Sequence, residues 1–242
     1  MMRRVGILGG MGPQATILLM QKLLDAVPAA GDAAHIPVIV DQNPQVPSRI
    51  RHLIDGDGED PGPVLADMAR RLVAGGAQAL AMPCNTAHHY AGAITSAVDV
   101  PFLDMVALSV AQAVRRVGTG DCVGILASPA VRKVGLFDKP LAARNLVAVY
   151  PSDEAAMLAA IRRIKAGDAG PQARQALKAA SEELLQQGAR VQMIACTEFS
   201  LIADAVADGT DAFDTLDALV DAIRDFAAAT DRTEEQPRIG FG

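Results

Sequence analysis

Short apolar segments alternate with longer, Ala-rich segments along most of the chain. The short ones are rich in Val, Ile and Leu and cover residues 5–8, 36–40, 79–82, 123–126, 146–150 and 191–195. The longer, helix-like ones cover residues 14–26, 63–74, 106–117, 155–165, 171–187 and 215–228. The last of these carries apolar residues at i, i+3 and i+4, as an amphipathic helix does. Continuous apolar strands separated by helices predict an α/β fold with parallel sheets covered on both faces.

Two motifs occur twice, at nearly the same offset. Val5–Leu8 is repeated 118 residues later as Val123–Leu126, and Ala81–Thr86 corresponds to Met193–Glu198 at an offset of 112. Strands of the first kind are common, so chance similarity is the alternative. We favour two similar lobes related by a pseudo-two-fold, with the site between them. The expected limits are residues 1–103 plus 213–242 for the first lobe and residues 104–212 for the second.

Each repeat places a cysteine directly after a strand. Ligands bind at the carboxyl ends of strands in open α/β sheets, so facing lobes would bring Cys84 and Cys196 to one cleft. A thiolate and a thiol on opposite faces of a carbon can remove one proton and return another, which inverts the configuration. A helix-like stretch follows each cysteine, and its dipole and free N–H groups are expected to lower the pKa of the thiol.

Other interpretations of these cysteines exist. A cysteine after a strand is often a buried small hydrophobe, which is our interpretation of Cys122. A disulfide between Cys84 and Cys196 is conceivable in geometry. A metal site is a third possibility because His88 and His89 follow Cys84 closely, although zinc ligands are usually spaced more densely.

Composition narrows the class of protein. The 242 residues are 50% hydrophobic and 21% charged, with a net charge of −6 and three cysteines. These values predict a soluble globular protein of the reducing cytoplasm. An acidic chain without basic clusters argues against nucleic acid and anionic membranes as partners, but not against a small acidic substrate. No segment approaches ~18 consecutive apolar residues, and the run Val5–Leu8 is too short for a signal peptide.

Five further motifs point to a known family. They are Gly9–Thr16, Asn43–Arg49, Pro83–His88, Ile164–Gly167 and Cys196–Glu198. With these motifs the chain resembles the aspartate/glutamate racemase family, most closely its aspartate racemase branch. The resemblance implies a two-lobed fold, commonly a homodimer, and an enzyme that needs neither pyridoxal phosphate nor metal.

The resemblance also implies a role for each matching residue. Cys84 and Cys196 would be the catalytic base and acid, and Arg49 and Lys165 would hold a side-chain carboxylate. The remaining expected substrate contacts are Met11, Asn43, Asn85, Thr86, Ser128, Thr197 and Glu198. A guanidinium suits a carboxylate because it can form two parallel hydrogen bonds. The alternatives are a solvated loop charge for Arg49, a partner of the helix dipole for Lys165, and a helix cap for Glu198, which could otherwise polarise Cys196.

Departures from the family pattern bear on the choice of substrate. Ser48, Ala195 and Ser128 stand where the family more often has Asp, Gly and Thr, and Glu198 replaces the His of the glutamate racemase branch. We expect aspartate as the first substrate and glutamate as the second. Rival functions are a hydantoin racemase, a maleate isomerase, a decarboxylase or a non-catalytic amino-acid-binding protein. Arg49 and Lys165 favour an acidic substrate over a neutral hydantoin.

Three other sequence patterns give weaker indications of function or structure. Gly10, Gly12 and Ala15 resemble a dinucleotide-binding loop, but no acidic residue is well placed about 20 residues later. The acidic segment Asp55–Asp60 lacks the spacing of an EF-hand, and we hypothesise that it is a loop that covers the cleft. Thr230–Gly242 is polar and is expected to be a loose tail.

Overall fold

Two parallel sheets of four strands form the framework of the chain. The computed structural model describes residues 2–118 and 120–229. The strands are β1 Val5–Gly9, β2 Val38–Gln42, β3 Ala79–Ala81, β4 Phe102–Leu103, β5 Cys122–Leu126, β6 Val147–Val149, β7 Val191–Ile194 and β8 Asp211–Asp214. The first sheet has the order β2-β1-β3-β4 and the second the order β6-β5-β7-β8. The predicted α/β class is confirmed, and the shared strand order matches the predicted repeat.

Helices cover both sheets. They are α1 Pro13–Asp25, α2 Gly62–Ala74, α3 Ala91–Thr95, α4 Met105–Val114, α5 Pro129–Lys133, α6 Asp138–Ala142, α7 Glu154–Lys165, α8 Pro171–Gln186 and α9 Thr215–Ala228. Proline stands in the first turn of α1, α2, α5 and α8, where its missing N–H costs no hydrogen bond. We call the elements around the first sheet the first lobe and those around the second sheet the second lobe.

Strands β1, β3 and β5 have neighbours on both sides in their sheets, and their sequences are apolar on both faces. All residues of β1, β3 and β7 are buried. β1 pairs in parallel with both β2 and β3, and Val5 is opposite Val38 on one side and Ala79 on the other. The carboxyl ends of β1, β3, β5 and β7 thereby carry the loops that build the site.

The C-terminal helix returns to the first lobe. Leu216, Leu219 and Ile223 of α9 pack with Val5 and Ile7 of β1. The proposed lobe limits stay a prediction, and the segment Thr230–Gly242 lies outside the described residues. Among the helices of residues 2–118 and 120–229, none combines the length and the apolar character that crossing a membrane requires.

Two strands and three helices were not predicted. β4 has only two residues, and β8 has the polar sequence Asp-Ala-Phe-Asp, so neither shows an apolar run. The helices α3, α5 and α6 have five residues each, too few to show helical periodicity. Edge strands β2 and β6 begin two residues and one residue later than predicted.

Candidate functional site

A cavity of about 310 Å³ lies between the two lobes. Eight of the eleven predicted site residues line it. The first lobe contributes Met11, Arg49, Cys84 and Thr86. The second lobe contributes Ser128, Lys165, Cys196 and Glu198. Both predicted catalytic cysteines thus reach one cavity from different sheets, Cys84 after β3 and Cys196 after β7.

The turn after β1 brings the backbone into this cavity. Gly10 has a φ of +93°, and a Cβ there would lie 2.4 Å from the carbonyl of Asn43. Only glycine fits a left-handed conformation with so close a neighbour. A Cβ on Gly12 would lie 3.4 Å from Glu198 Oε1, so this turn packs directly against the second lobe.

The loop of Cys84 is held by a buried histidine. Cys84 is 7% exposed. His88 Nε2 accepts a hydrogen bond from the backbone N–H of Met105 at 3.1 Å, and its Nδ1 donates to the carbonyl of Cys84 at 2.9 Å. Burial lowers the pKa of His88, which favours this neutral tautomer. His88 therefore positions the Cys84 loop.

Both ring nitrogens of His88 form hydrogen bonds with the backbone, so neither is free to bind a metal ion in this arrangement. Within residues 2–118 and 120–229, no group of three His, Cys, Asp or Glu side chains is arranged to hold a metal ion. All three cysteines are free thiols. Cys122 is half-buried at the start of β5 rather than fully buried.

Cys196 has a carboxylate partner. Its thiol is 6% exposed and donates to Glu198 Oε2, with sulfur and oxygen 3.1 Å apart. The other carboxylate oxygen, Oε1, accepts from the ammonium of Lys165. Burial and the charge of Glu198 raise the pKa of the Cys196 thiol well above its ordinary value.

The expectation of a lowered pKa for the second cysteine was therefore wrong. The segment that follows Cys196 is a short 3₁₀-helix, Phe199–Ala205, and the segment that follows Cys84 is another, Thr86–Tyr90. A short 3₁₀-helix supplies little dipole. Desolvation and one adjacent carboxylate outweigh it at Cys196.

Lys165 is cationic and close to both sulfurs. Burial acts to lower the pKa of Lys165, but the charge and hydrogen bond of Glu198 raise it overall, and Cys84 and Cys196 add to this effect when ionised. Lys165 is therefore paired with Glu198, whereas the resemblance assigned it to a substrate carboxylate.

Three predicted site residues, Asn43, Asn85 and Thr197, do not line the cavity. Asn85 Nδ2 donates to Thr215 Oγ1 at 2.9 Å, and Thr215 Oγ1 donates to the carbonyl of Ile194 at 3.0 Å. Asn85 thus joins the loop of the first cysteine to the strand that precedes the second.

Arg49 is oriented by its own loop. Its Nη1 donates to the carbonyls of Val46 and Pro47 at 3.3 and 3.0 Å. In the described part of the chain, Arg49 forms no ion pair with a carboxylate. A half-buried guanidinium held in this way is available to an anionic ligand.

Seven further residues line the cavity and were not predicted as site residues. They are Ser48, Ile50, Arg51, Asp55, Leu158, Ile161 and Arg162. Leu158, Ile161, Arg162 and Lys165 share one face of α7, so the helical spacing from Lys165 would have indicated the other three.

The segment after Arg49 lines the cavity from the first lobe. Arg51–Asp55 forms a π-helix. Lys133 at the end of α5 donates to the carbonyl of Ile54 at 3.2 Å, which links this segment to the second lobe. Arg51 pairs with Asp57 at 2.8 Å. The hypothesis that the acidic segment Asp55–Asp60 covers the cleft stays a prediction, since of that segment only Asp55 lines the cavity.

Comparison with known proteins gives consistent results. A family model described as Asp/Glu/Hydantoin racemase matches residues 8–223. The broad specificity amino-acid racemase RacX of Bacillus subtilis is 32% identical over 105 residues, which cover 42% of this chain and 45% of RacX. The match thus spans less than half of that relative.

Solved structures share the fold. The Picrophilus torridus aspartate racemase superposes with a TM-score of 0.82 at 25% identity, over 93% of this chain and 94% of that one. Glutamate racemase RacE1 of Bacillus anthracis superposes with a TM-score of 0.66 at 16% identity, over 92% of this chain and 80% of that one. At that identity the second similarity concerns the fold alone.

Proposed function

The chain belongs to the Asp/Glu/hydantoin racemase family, and on that premise we propose that it inverts the Cα of an acidic amino acid without a cofactor. Cys84 and Cys196 act as base and acid on opposite faces of the substrate. Aspartate is the first expected substrate and glutamate the second. The observation that supports this proposal best is that two free thiols from different lobes line one cavity.

The protonation of Cys196 suggests how the reaction starts. Because burial and Glu198 raise the pKa of its thiol, Cys196 rests as the proton donor. When Cys196 starts as the thiol, the thiolate of Cys84 removes the Cα proton. The nearby ammonium of Lys165 acts to lower the pKa of the Cys196 thiol, and so stabilises the thiolate that forms once Cys196 has given its proton to the substrate. In the reverse direction the two sulfurs exchange roles.

Substrate binding follows from the charges that remain available. Arg49 is the group we assign to the side-chain carboxylate, since Lys165 is already paired with Glu198. Arg162 on α7 of the second lobe also lines the cavity and can hold a second anionic group. The hydroxyls of Thr86 and Ser128, which lie 3.2 Å apart, are the groups we assign to binding the substrate between the lobes.

Rival functions within the family make different use of these cations. A hydantoin racemase needs no carboxylate grip, whereas a maleate isomerase does, so Arg49 favours an acidic substrate over a hydantoin. A non-catalytic binding protein could share the entire lining. A homodimer and a cytoplasmic location stay predictions. Analytical ultracentrifugation checks whether the protein is a homodimer.

Hydrogen exchange at Cα tests the proposal. Purified protein, treated with a chelator, is incubated in deuterated water with each enantiomer of aspartate and glutamate, and chiral chromatography with mass spectrometry follows the products. The proposal predicts the opposite enantiomer with deuterium at Cα. The matched control is the double variant Cys84→Ser/Cys196→Ser, which should be silent. No exchange with any acidic amino acid would leave non-catalytic binding as the better explanation.

A further inference from the structure

One turn of a two-thiol reaction leaves the enzyme altered. This change of state exists only if the protein has the proposed function, on which the inference rests. The Cα proton ends on Cys84, and the proton of Cys196 ends on the product, so the thiol and the thiolate have exchanged places. A second turn in the same direction requires that Cys84 lose its proton and that Cys196 regain one.

The two sulfurs differ in how they can exchange protons with solvent. Among the described residues, no side chain accepts a hydrogen bond from the sulfur of Cys84. Cys196 is buried at 6% exposure but hydrogen-bonded to Glu198, which is itself 7% exposed. Glu198 in turn contacts Lys165, whose side chain is 38% exposed at the cavity. These three groups form a continuous polar path from a buried sulfur to water.

We propose that Glu198 carries protons between solvent and the sulfur of Cys196, and so restores the thiol after each turnover. The Glu198 carboxylate takes a proton from water or a buffer acid, and an O–H bond forms. It then gives that proton to the Cys196 thiolate, so that the O–H bond breaks and an S–H bond forms. Cys84 releases its proton to solvent, and no oxidant or reductant takes part.

The surroundings of Glu198 suit this role. Lys165 donates to Oε1, which leaves Oε2 directed at the sulfur. The raised pKa of the Cys196 thiol favours the final position of the proton on sulfur. Gly12 also lies beside this pair, since a Cβ there would be 3.4 Å from Glu198 Oε1 and 3.5 Å from Lys165 Nζ.

Steady-state kinetics of Glu198→Gln separate this role from a role in the chemical step. The amide oxygen can still accept the thiol hydrogen bond, but the amide cannot carry the proton. We expect kcat and KM to fall together by about tenfold or more while kcat/KM stays within about threefold, because the slow step then follows product release. Small buffer acids should restore kcat. Glu198→Asp, which keeps a carboxylate, should need no such rescue.

Glu182→Gln on the outer face of α8 is the matched control and should behave as the unmodified protein. A loss of kcat/KM as large as the loss of kcat, without rescue by buffer, would overturn the proposal. So would an unchanged kcat in Glu198→Gln.

Alkylation tests the same link without turnover. In a Cys84→Ser/Cys122→Ser background, the rate of carbamidomethylation of Cys196 against pH reports its thiolate. Adding Glu198→Gln should shift this profile to lower pH, since the carboxylate that raises the pKa is gone. An unchanged profile would contradict the role of Glu198. If the unmodified protein racemises nothing, the proposed function fails, while this profile still decides whether Glu198 governs the proton of Cys196.

Discussion

The hydroxyls of Thr86 and Ser128 meet at 3.2 Å, although 42 residues separate them in the chain. Thr86 follows Cys84 on the first lobe, and Ser128 follows β5 on the second. Their contact joins the two lobes at the cavity that both cysteines also line. The site therefore belongs to neither lobe alone, and changes in either lobe should affect the same reaction.

Arg49 should control the preference for acidic substrates. Arg49→Lys keeps the charge but loses the paired donors, so kcat/KM for aspartate should fall about 10- to 100-fold, mainly through KM, as expected for hydrogen bonds to a charged group. Arg70→Lys on the outer face of α2 is the control. Initial rates against substrate concentration measure both. Equal efficiency of Arg49→Lys and the unmodified protein on aspartate would remove Arg49 from the binding site.

Gly10 should be irreplaceable in the turn that carries Met11. Gly10→Ala places a Cβ in the Asn43 backbone at a left-handed φ, so we expect a loss of about 2–4 kcal/mol in the free energy of unfolding and a large loss of activity. Gly31→Ala is the matched control, since a Cβ there meets nothing within 4 Å. Urea unfolding compares the two. Comparable stability of both variants would show that the turn tolerates a side chain.

Asp214 should make stability depend on pH. Its Oδ1 caps α9 and accepts from Ser200, but its Oδ2 is buried without a partner, and burial raises the pKa of Asp214 to about 6. The folded state then binds the proton more tightly than the unfolded state. The free energy of unfolding should therefore fall by at most about 3 kcal/mol as pH rises from 4 to 6, and level off above.

The variant Asp214→Asn isolates this contribution. At each pH, its free energy of unfolding is compared with that of the unmodified protein. The difference should favour the variant more at pH 7 than at pH 4. Asp67→Asn, on the exposed face of α2, should show no such change. Urea titrations at both pH values supply the comparison. A difference between Asp214→Asn and the unmodified protein that is the same at both pH values would refute the assignment.

The sequence was informative where one physical cause dominates. Strands β3 and β7 are buried on both faces, and the motif repeated at their ends predicted that Cys84 and Cys196 reach one cavity. The expectation of a lowered pKa for Cys196 was wrong because this pKa depends on burial and on the orientation of Glu198, which no spacing reveals. The pairing of Lys165 with Glu198, 33 residues apart, is likewise a tertiary contact. The helical spacing of α7 predicts which residues share a face with Lys165. It shows which face lines the cavity only after Lys165 has been assigned to the site.

The most direct test of the two-thiol mechanism uses variants in which one cysteine is replaced at a time. Cys84→Ser and Cys196→Ser are each incubated with pure L- and pure D-aspartate in deuterated water, with Cys122→Ser as the control. Each site variant should lose racemisation by about 10²-fold or more. Each should retain Cα–H exchange with only one enantiomer, and the two variants should retain opposite ones. Exchange of the same enantiomer by both variants, or full racemisation by either, would contradict a proton transfer between opposed sulfurs.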